Sequence, residues 1–72
     1  MIVITHKSNG IENNPDREFM EECAKIDKHK PSTWVGTPME IISMEYQELM
    51  KRPSKKELYH LATACLHAWR HM

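Results

Sequence analysis

The sequence predicts an all-α fold, and two observations carry this prediction. Three segments open with a helix N-cap residue, namely Asn14, Thr37 and Ser54. Each is followed by a proline at the first helical position, by a glutamate at the third, or by both. Within each segment the apolar residues recur every three or four positions, the period of an amphipathic helix. At 72 residues the chain has the length of one domain, so residues 1–72 are expected to form a single helical domain.

The first part of the chain carries a different signal. Residues 2–5 are all β-branched and predict one short strand, which would pair with another chain or fray. The stretch after it contains Gly10 and several asparagines and is typical of a loop. Residues 1–13 are therefore expected to form strand and loop, and residues 14–72 the helices. The first helix should run from Asn14 to about His29.

The second and third helices are predicted to form an antiparallel hairpin. The second begins after the Thr37 capping box and ends near Lys51, because Pro53 disfavours helical geometry in the residue before it. Ser54 and Glu57 form the pattern of another capping box, which opens a helix running to the C-terminus. A connection of about three residues is typical of neighbouring antiparallel helices.

A chain of this length has little core, which predicts self-association. Several apolar side chains lie outside the two faces that close one hairpin: Met44, Tyr46, Met50 and Leu66. We therefore expect a homo-oligomer, a dimer or a tetramer, in which hairpins from two chains complete a four-helix bundle.

Composition argues against several classes of function. Ten basic side chains balance ten acidic ones, and a neutral domain is not expected to bind duplex nucleic acid, whose affinity depends on phosphate neutralisation. No apolar run approaches the roughly 18 residues of a membrane span, and residues 2–4 are too few for a signal-peptide core, so no membrane partner is expected. Cys23 and Cys65 lie among apolar helical positions, which indicates reduced core thiols and a cytoplasmic protein.

The second helix carries an acidic residue where an apolar one is expected. Ile41, Ile42 and Leu49 define its apolar face on a helical wheel, and Glu45 falls at the centre of that face. A lone buried carboxylate is costly unless it is paired or bound to a metal. No base stands three or four positions after Glu45, so a structural partner would have to come from elsewhere, for example Arg17 or Arg70.

The predicted hairpin brings further ligand-type residues to this point. A turn centred near residues 52–53 places Glu48 level with Glu57, and Glu45 level with His60. Oxygen-rich clusters on facing helices are how helical bundles hold divalent metals. Other interpretations stay open: Glu57 could close its capping box, Glu48 could pair with a base one turn later, and His60 could be a surface histidine.

The last helix has two faces of different chemistry. Its apolar stripe consists of Leu58, Leu61, Cys65 and Trp69. The opposite face carries His60, His67 and His71, which could donate to phosphate oxygens or form a solvated surface. The pair His67 and His71, at i and i+4, could instead hold a transition metal. Trp34, before the second helix, could stack on a base or serve as a core or interface aromatic.

The motif Glu45-x-x-Glu48 followed by Glu57-x-x-His60 resembles the ExxE…ExxD signature of MazG-like nucleotide pyrophosphohydrolases. The similarity spans roughly residues 15–70. It includes the order of the helices and the alanine-rich last helix, which is most similar to short, phage-type members. The resemblance implies an all-α, oligomeric protein that binds Mg²⁺ (or Mn²⁺). It also implies hydrolysis of a nucleoside triphosphate to its monophosphate and pyrophosphate.

The resemblance also implies roles for residues by position. Glu45 and Glu48 would be catalytic, and the metal ligands would be Glu45, Glu48, Glu57 and His60. Trp34, His60 and His67 are expected to contact the nucleotide. His60 stands where the family has aspartate, and imidazole suits Mn²⁺ or Zn²⁺ better than Mg²⁺. The gap between the two pairs is also shorter than is usual in the family.

Because of these departures from the family motif, two functions other than catalysis stay open. One is a non-catalytic, phage-type protein that binds and sequesters a nucleotide or nucleotide second messenger and so counters a host defence. Such a protein would act in the host cytoplasm. The other is a helical protein–protein interaction module that has retained only the bundle.

Overall fold

The computed structural model describes residues 16–72, which form three helices: α1 (Asp16–Lys28), α2 (Pro38–Lys51) and α3 (Lys55–Arg70). The predicted all-α fold is confirmed. The strand predicted at residues 2–5 and the N-cap predicted at Asn14 lie outside the described residues. None of the three helices is both long and apolar enough to cross a lipid bilayer.

The hairpin helices begin where their cap residues predict. Thr37 Oγ1 accepts a hydrogen bond from the Glu40 N–H at 3.2 Å, and the Glu40 carboxylate accepts one from the Thr37 N–H at 2.7 Å. This completes the first capping box. At the start of α3, Ser54 Oγ accepts from the Glu57 N–H at 3.2 Å, whereas the Glu57 carboxylate lies 3.8 Å from His60 Nδ1. The carboxylate of Glu57 is thus directed toward α2 and His60.

Helix α3 is central and packs against α2 on one side and α1 on another. Its pairing with α2 is antiparallel, as the short connection predicts, and its pairing with α1 is parallel. Within residues 16–72 the buried side chains are few: Ile41 and Glu45 from α2, and Thr63, Ala64 and Ala68 from α3. Apart from Ile41, the apolar core between these helices is built from alanine, whose small side chain lets neighbouring helices approach closely.

The apolar stripe of α3 (Leu58, Leu61, Cys65 and Trp69), which the sequence indicates as its core face, is not the buried face of the helix. Leu58 and Trp69 are 49% and 73% exposed, and Cys65 is exposed as well, so it is not a core thiol. Helices α1 and α2 approach α3 where its side chains are small, whereas a helical wheel is dominated by the large ones. Leu58, Leu61 and Cys65 instead border an apolar groove of about 510 Å³ between α1 and α3, whereas Trp69 is not among its lining residues. Its lining comprises Glu18, Phe19, Lys55, Leu58, Tyr59, Leu61, Ala62 and Cys65.

Helix α1 is attached to α3 by contacts near both of its ends. The Tyr59 hydroxyl donates to Glu18 Oε2 at 2.7 Å, and the Tyr59 ring lies 5.7 Å from the ring of Phe19. Toward the other end, Arg70 Nη1 donates to Asp27 Oδ1 at 2.7 Å, and this ion pair lowers the pKa of Asp27. No residue of α1 is buried. The helix is therefore held by partly solvated contacts.

The Tyr59–Glu18 hydrogen bond predicts a loss of stability at alkaline pH. Donation to the Glu18 carboxylate raises the pKa of Tyr59 from 10.0 to about 12. A raised pKa in the folded state stabilises the fold fully below pH 10, and this contribution is lost as the pH rises toward about 12. We expect the free energy of unfolding of the Tyr59→Phe variant to fall less over this range than that of the wild type. Urea unfolding across the range measures this, with Tyr46→Phe as the exposed control. Equal alkaline losses in wild type and Tyr59→Phe would contradict the assignment.

Candidate metal centre

Three side chains of the hairpin bring potential metal ligands together. Glu45 of α2 and Glu57 and His60 of α3 each offer one ligand atom, and these atoms lie within 4.8 Å of one another. His60 Nδ1 is 4.0 Å from Glu45 Oε1 and 3.8 Å from Glu57 Oε1. The structure therefore places Glu45 beside His60, the adjacency that a turn at residues 52–53 predicts.

The positions of these side chains follow from helix geometry. Glu57 and His60 are three residues apart on α3, so their side chains lie on the same face one turn apart. Glu57 is in the first turn of α3, where the helix dipole favours a negative charge. Glu45 lies one turn after the buried Ile41 and shares its face of α2. Packing of α2 on α3 thus directs Glu45 at the other two residues.

The cluster opens into a cavity of about 310 Å³. Three carboxylates and one imidazole line it: Glu45, Glu48, Glu57 and His60. Pro31, Thr33 and Met44 complete the lining. Glu48 therefore shares the cavity but does not belong to the group whose ligand atoms converge. A water molecule occupies about 30 Å³ of liquid, so the cavity has room for a hydrated ion or a phosphate group.

Glu45 is the residue with the least exposure in the cluster, at 4%. Its hydrogen-bond partner is the indole of Trp34, whose Nε1–H donates to Glu45 Oε2 at 2.6 Å. The suggestion that Arg17 or Arg70 pairs with Glu45 is wrong, because the two arginines pair with carboxylates of α1. The helical periodicity of the sequence did not reveal Trp34 as the partner of Glu45. Trp34 lies in an irregular connection, and its contact with Glu45 depends on the tertiary fold.

Trp34 is fixed by the connection and by α3. Its backbone N–H donates to the Pro31 carbonyl at 3.0 Å, which closes a turn before α2. Its ring lies 5.7 Å from the ring of His67, which in turn lies 4.5 Å from the ring of His71. Partial desolvation lowers the pKa of His67, and the neighbouring His71 lowers it further.

The predicted histidine face is divided by this arrangement. His60 lines the cavity, whereas His67 lies outside it beside Trp34, and His71 lies beside His67. Trp34 itself is half-buried and does not line the cavity, and its indole N–H is already bonded to Glu45. The two nucleotide contacts predicted at Trp34 and His67 therefore lie outside the carboxylate-lined cavity.

The electrostatics of the cluster favour a cation. Among the ion pairs within residues 16–72, Glu45 and Glu57 approach His60 and no lysine or arginine. Each of these contacts is longer than a hydrogen bond. Two carboxylates and an imidazole therefore face one another across gaps that an ion could bridge, with their negative charge uncompensated by a permanent cation.

Comparisons of the chain with models of protein families, with curated proteins and with solved structures found no match.

Proposed function

We propose that the chain binds a divalent metal ion through Glu45, Glu57 and His60 and hydrolyses a nucleoside triphosphate to its monophosphate and pyrophosphate. The observation that carries the metal-binding part is the convergence of these three ligand atoms within 4.8 Å. The nucleotide part rests on the resemblance of the Glu45–His60 segment to the MazG-like signature.

The donor set fits a divalent ion. A metal bound at about 2.0–2.1 Å in octahedral geometry holds neighbouring ligand atoms about 3 Å apart. The distances from His60 Nδ1 to the two carboxylates, 3.8 and 4.0 Å, need to contract by about 1 Å to reach this. The mixture of two oxygens and one nitrogen favours Mn²⁺ or Zn²⁺ over Mg²⁺.

The residues around the cavity have separate tasks in this proposal. A divalent ion, when bound, would offset phosphate charge and lower the pKa of a coordinated water. Glu48 lines the cavity without belonging to the converging group, which suits it to accept the proton of the attacking water. The water oxygen forms a bond to the α-phosphorus, the bond between the α-phosphorus and the oxygen that bridges to the β-phosphate breaks, and pyrophosphate leaves with the electron pair of that bond.

A panel of nucleoside triphosphates, with Mg²⁺ or Mn²⁺, tests the proposal. We expect monophosphate and pyrophosphate to form in the presence of metal and to be absent in its absence, with Mn²⁺ more effective than Mg²⁺. Tight binding with intact nucleotide recovered would instead support the sequestering protein, which the replacement of the family's aspartate by His60 favours. If the protein neither hydrolyses nor binds any nucleotide of the panel, only the interaction module remains.

We also propose that the protein is a homo-oligomer in the cytoplasm. The side chains of Leu58, Met50 and Trp69 are 49%, 63% and 73% exposed. They leave a large apolar area uncovered in a chain with a very small core. The free thiols of Cys23 and Cys65 fit a reducing compartment.

Sedimentation at micromolar concentration measures the oligomeric state directly. We expect a dimer or tetramer, and Trp69→Glu should shift it toward the monomer, because the charge would be buried in the association. The matched control is Met72→Glu, at a residue that is 91% exposed at the end of the chain. A stable monomer of 8.5 kDa would contradict the proposal.

A further inference from the structure

We infer that Trp34 is the positioning residue of the metal centre: its indole N–H sets the Glu45 carboxylate for ion binding. The inference rests on the proposed metal site and assigns a role to a residue outside the cavity. It is carried by one contact, the 2.6 Å hydrogen bond from Trp34 Nε1 to Glu45 Oε2.

Because of this hydrogen bond, the two carboxylate oxygens of Glu45 have different surroundings. Oε2 is held by the indole, and Oε1 lies 4.0 Å from His60 Nδ1, on the side of the converging ligand atoms. A carboxylate that is 4% exposed and fixed at one oxygen has little freedom to rotate. Glu45 is thereby prepared to bind an ion through the free oxygen, with little reorganisation when the ion arrives.

The chemistry of indole suits this task better than that of a basic side chain. Indole is a donor only and carries no charge, so it cannot compete as a metal ligand. A lysine or arginine at the same place would neutralise Glu45 and repel the incoming cation. Trp34 orients the carboxylate and leaves its negative charge available to the ion.

The fold holds the indole in place from two sides. The turn from Pro31 to Trp34 fixes the backbone, and the ring of His67 lies 5.7 Å from the indole ring. Trp34 thus contacts both the carboxylate cluster, through Glu45, and His67, which lies about two turns after His60 on α3. Residues that orient a metal ligand in this way typically contribute about 10- to 100-fold to metal affinity.

Replacing only the N–H tests the inference. The 72-residue chain is short enough for chemical synthesis, and a benzothiophene analogue at position 34 retains the bicyclic ring but has no N–H donor. Calorimetric titration with Mn²⁺ should show an affinity about 10- to 100-fold lower than that of the wild type. Trp34→Phe should show a similar loss. The control is Trp69→Phe, at a tryptophan that is 73% exposed, and its affinity should equal that of the wild type.

A spectroscopic measurement separates positioning from a structural role. In the Trp69→Phe background Trp34 provides the single indole N–H resonance, which should move on titration with Mg²⁺ because its acceptor then shares charge with the ion. A resonance that does not respond, or an unchanged Mn²⁺ affinity in the benzothiophene variant, overturns the positioning role and leaves the metal site intact. Absence of Mn²⁺ binding in the wild type overturns the metal site and the role of Trp34 together. Circular dichroism of each variant identifies any loss of affinity caused by unfolding, and an affinity loss explained wholly by unfolding also counts against the inference.

Discussion

Replacing Glu45 with glutamine is expected to abolish metal-dependent stabilisation and nucleotide turnover while leaving the metal-free protein equally or more stable. The substitution removes one of two neighbouring carboxylate charges at nearly constant volume. The amide oxygen of glutamine can still accept the Trp34 N–H, so the indole keeps a partner. In the wild type, an ion at 100 times its Kd should stabilise the fold by about 2.7 kcal/mol.

Thermal melts of wild type and Glu45→Gln, with and without Mn²⁺, measure both effects. Glu22→Gln is a matched control, because Glu22 lies on α1 and pairs with Lys25 at 3.1 Å, away from the cavity. This control should retain the full Mn²⁺-dependent shift. A wild-type melt that is indifferent to Mn²⁺ and Mg²⁺, together with strong destabilisation of Glu45→Gln, would identify Glu45 as a purely structural residue.

The second large effect is expected at Ile41, the one large aliphatic side chain among the buried residues of 16–72, at 3% exposure. Truncation to alanine should destabilise the fold by about 2–5 kcal/mol, since it removes buried methyl groups and leaves a cavity. A domain with a core this small has few kcal/mol to lose, so the variant should be largely unfolded at moderate temperature.

Urea unfolding followed by circular dichroism checks this prediction. Met39→Ala on the same helix is the control, because Met39 is 55% exposed and its truncation should change the free energy of unfolding by less than about 0.5 kcal/mol. Similar midpoints for Ile41→Ala and the wild type would show that the hairpin does not depend on this contact.

The hairpin and the centre of the acidic cluster could be predicted because local signals determine them. Thr37, Ser54 and Pro53 fix the ends of α2 and α3, and a short connection then determines which residues of the two helices are level. Glu45 and His60 come together for this reason alone. The metal-binding role itself stays a prediction that the Mn²⁺ titration tests.

Two features could not be predicted, for different physical reasons. The donor to Glu45 comes from Trp34, 11 positions earlier, in a segment whose path no periodicity describes. The buried face of α3 depends on the side from which α1 and α2 approach it. On a helical wheel the apolar face is assigned mainly from large side chains such as Leu58 and Trp69, and hardly from Ala64 and Ala68. Small residues mark close helix contact, and their contribution is underestimated when side chains are ranked by hydrophobicity.

The unequal burial of the three helices has a consequence for the motions of the molecule. Helix α1 contributes no residue to the core, and its contacts with α3 through Tyr59 and Arg70 are partly solvated. Segments of this kind open at a lower free energy than the whole fold, as separate cooperative units in amide hydrogen exchange. Opening of α1 exposes the walls of the apolar groove and releases one end of the connection to α2, and this connection carries Trp34, the hydrogen-bond partner of Glu45. The opening of α1 and the geometry of the acidic cluster are therefore expected to be coupled through Trp34.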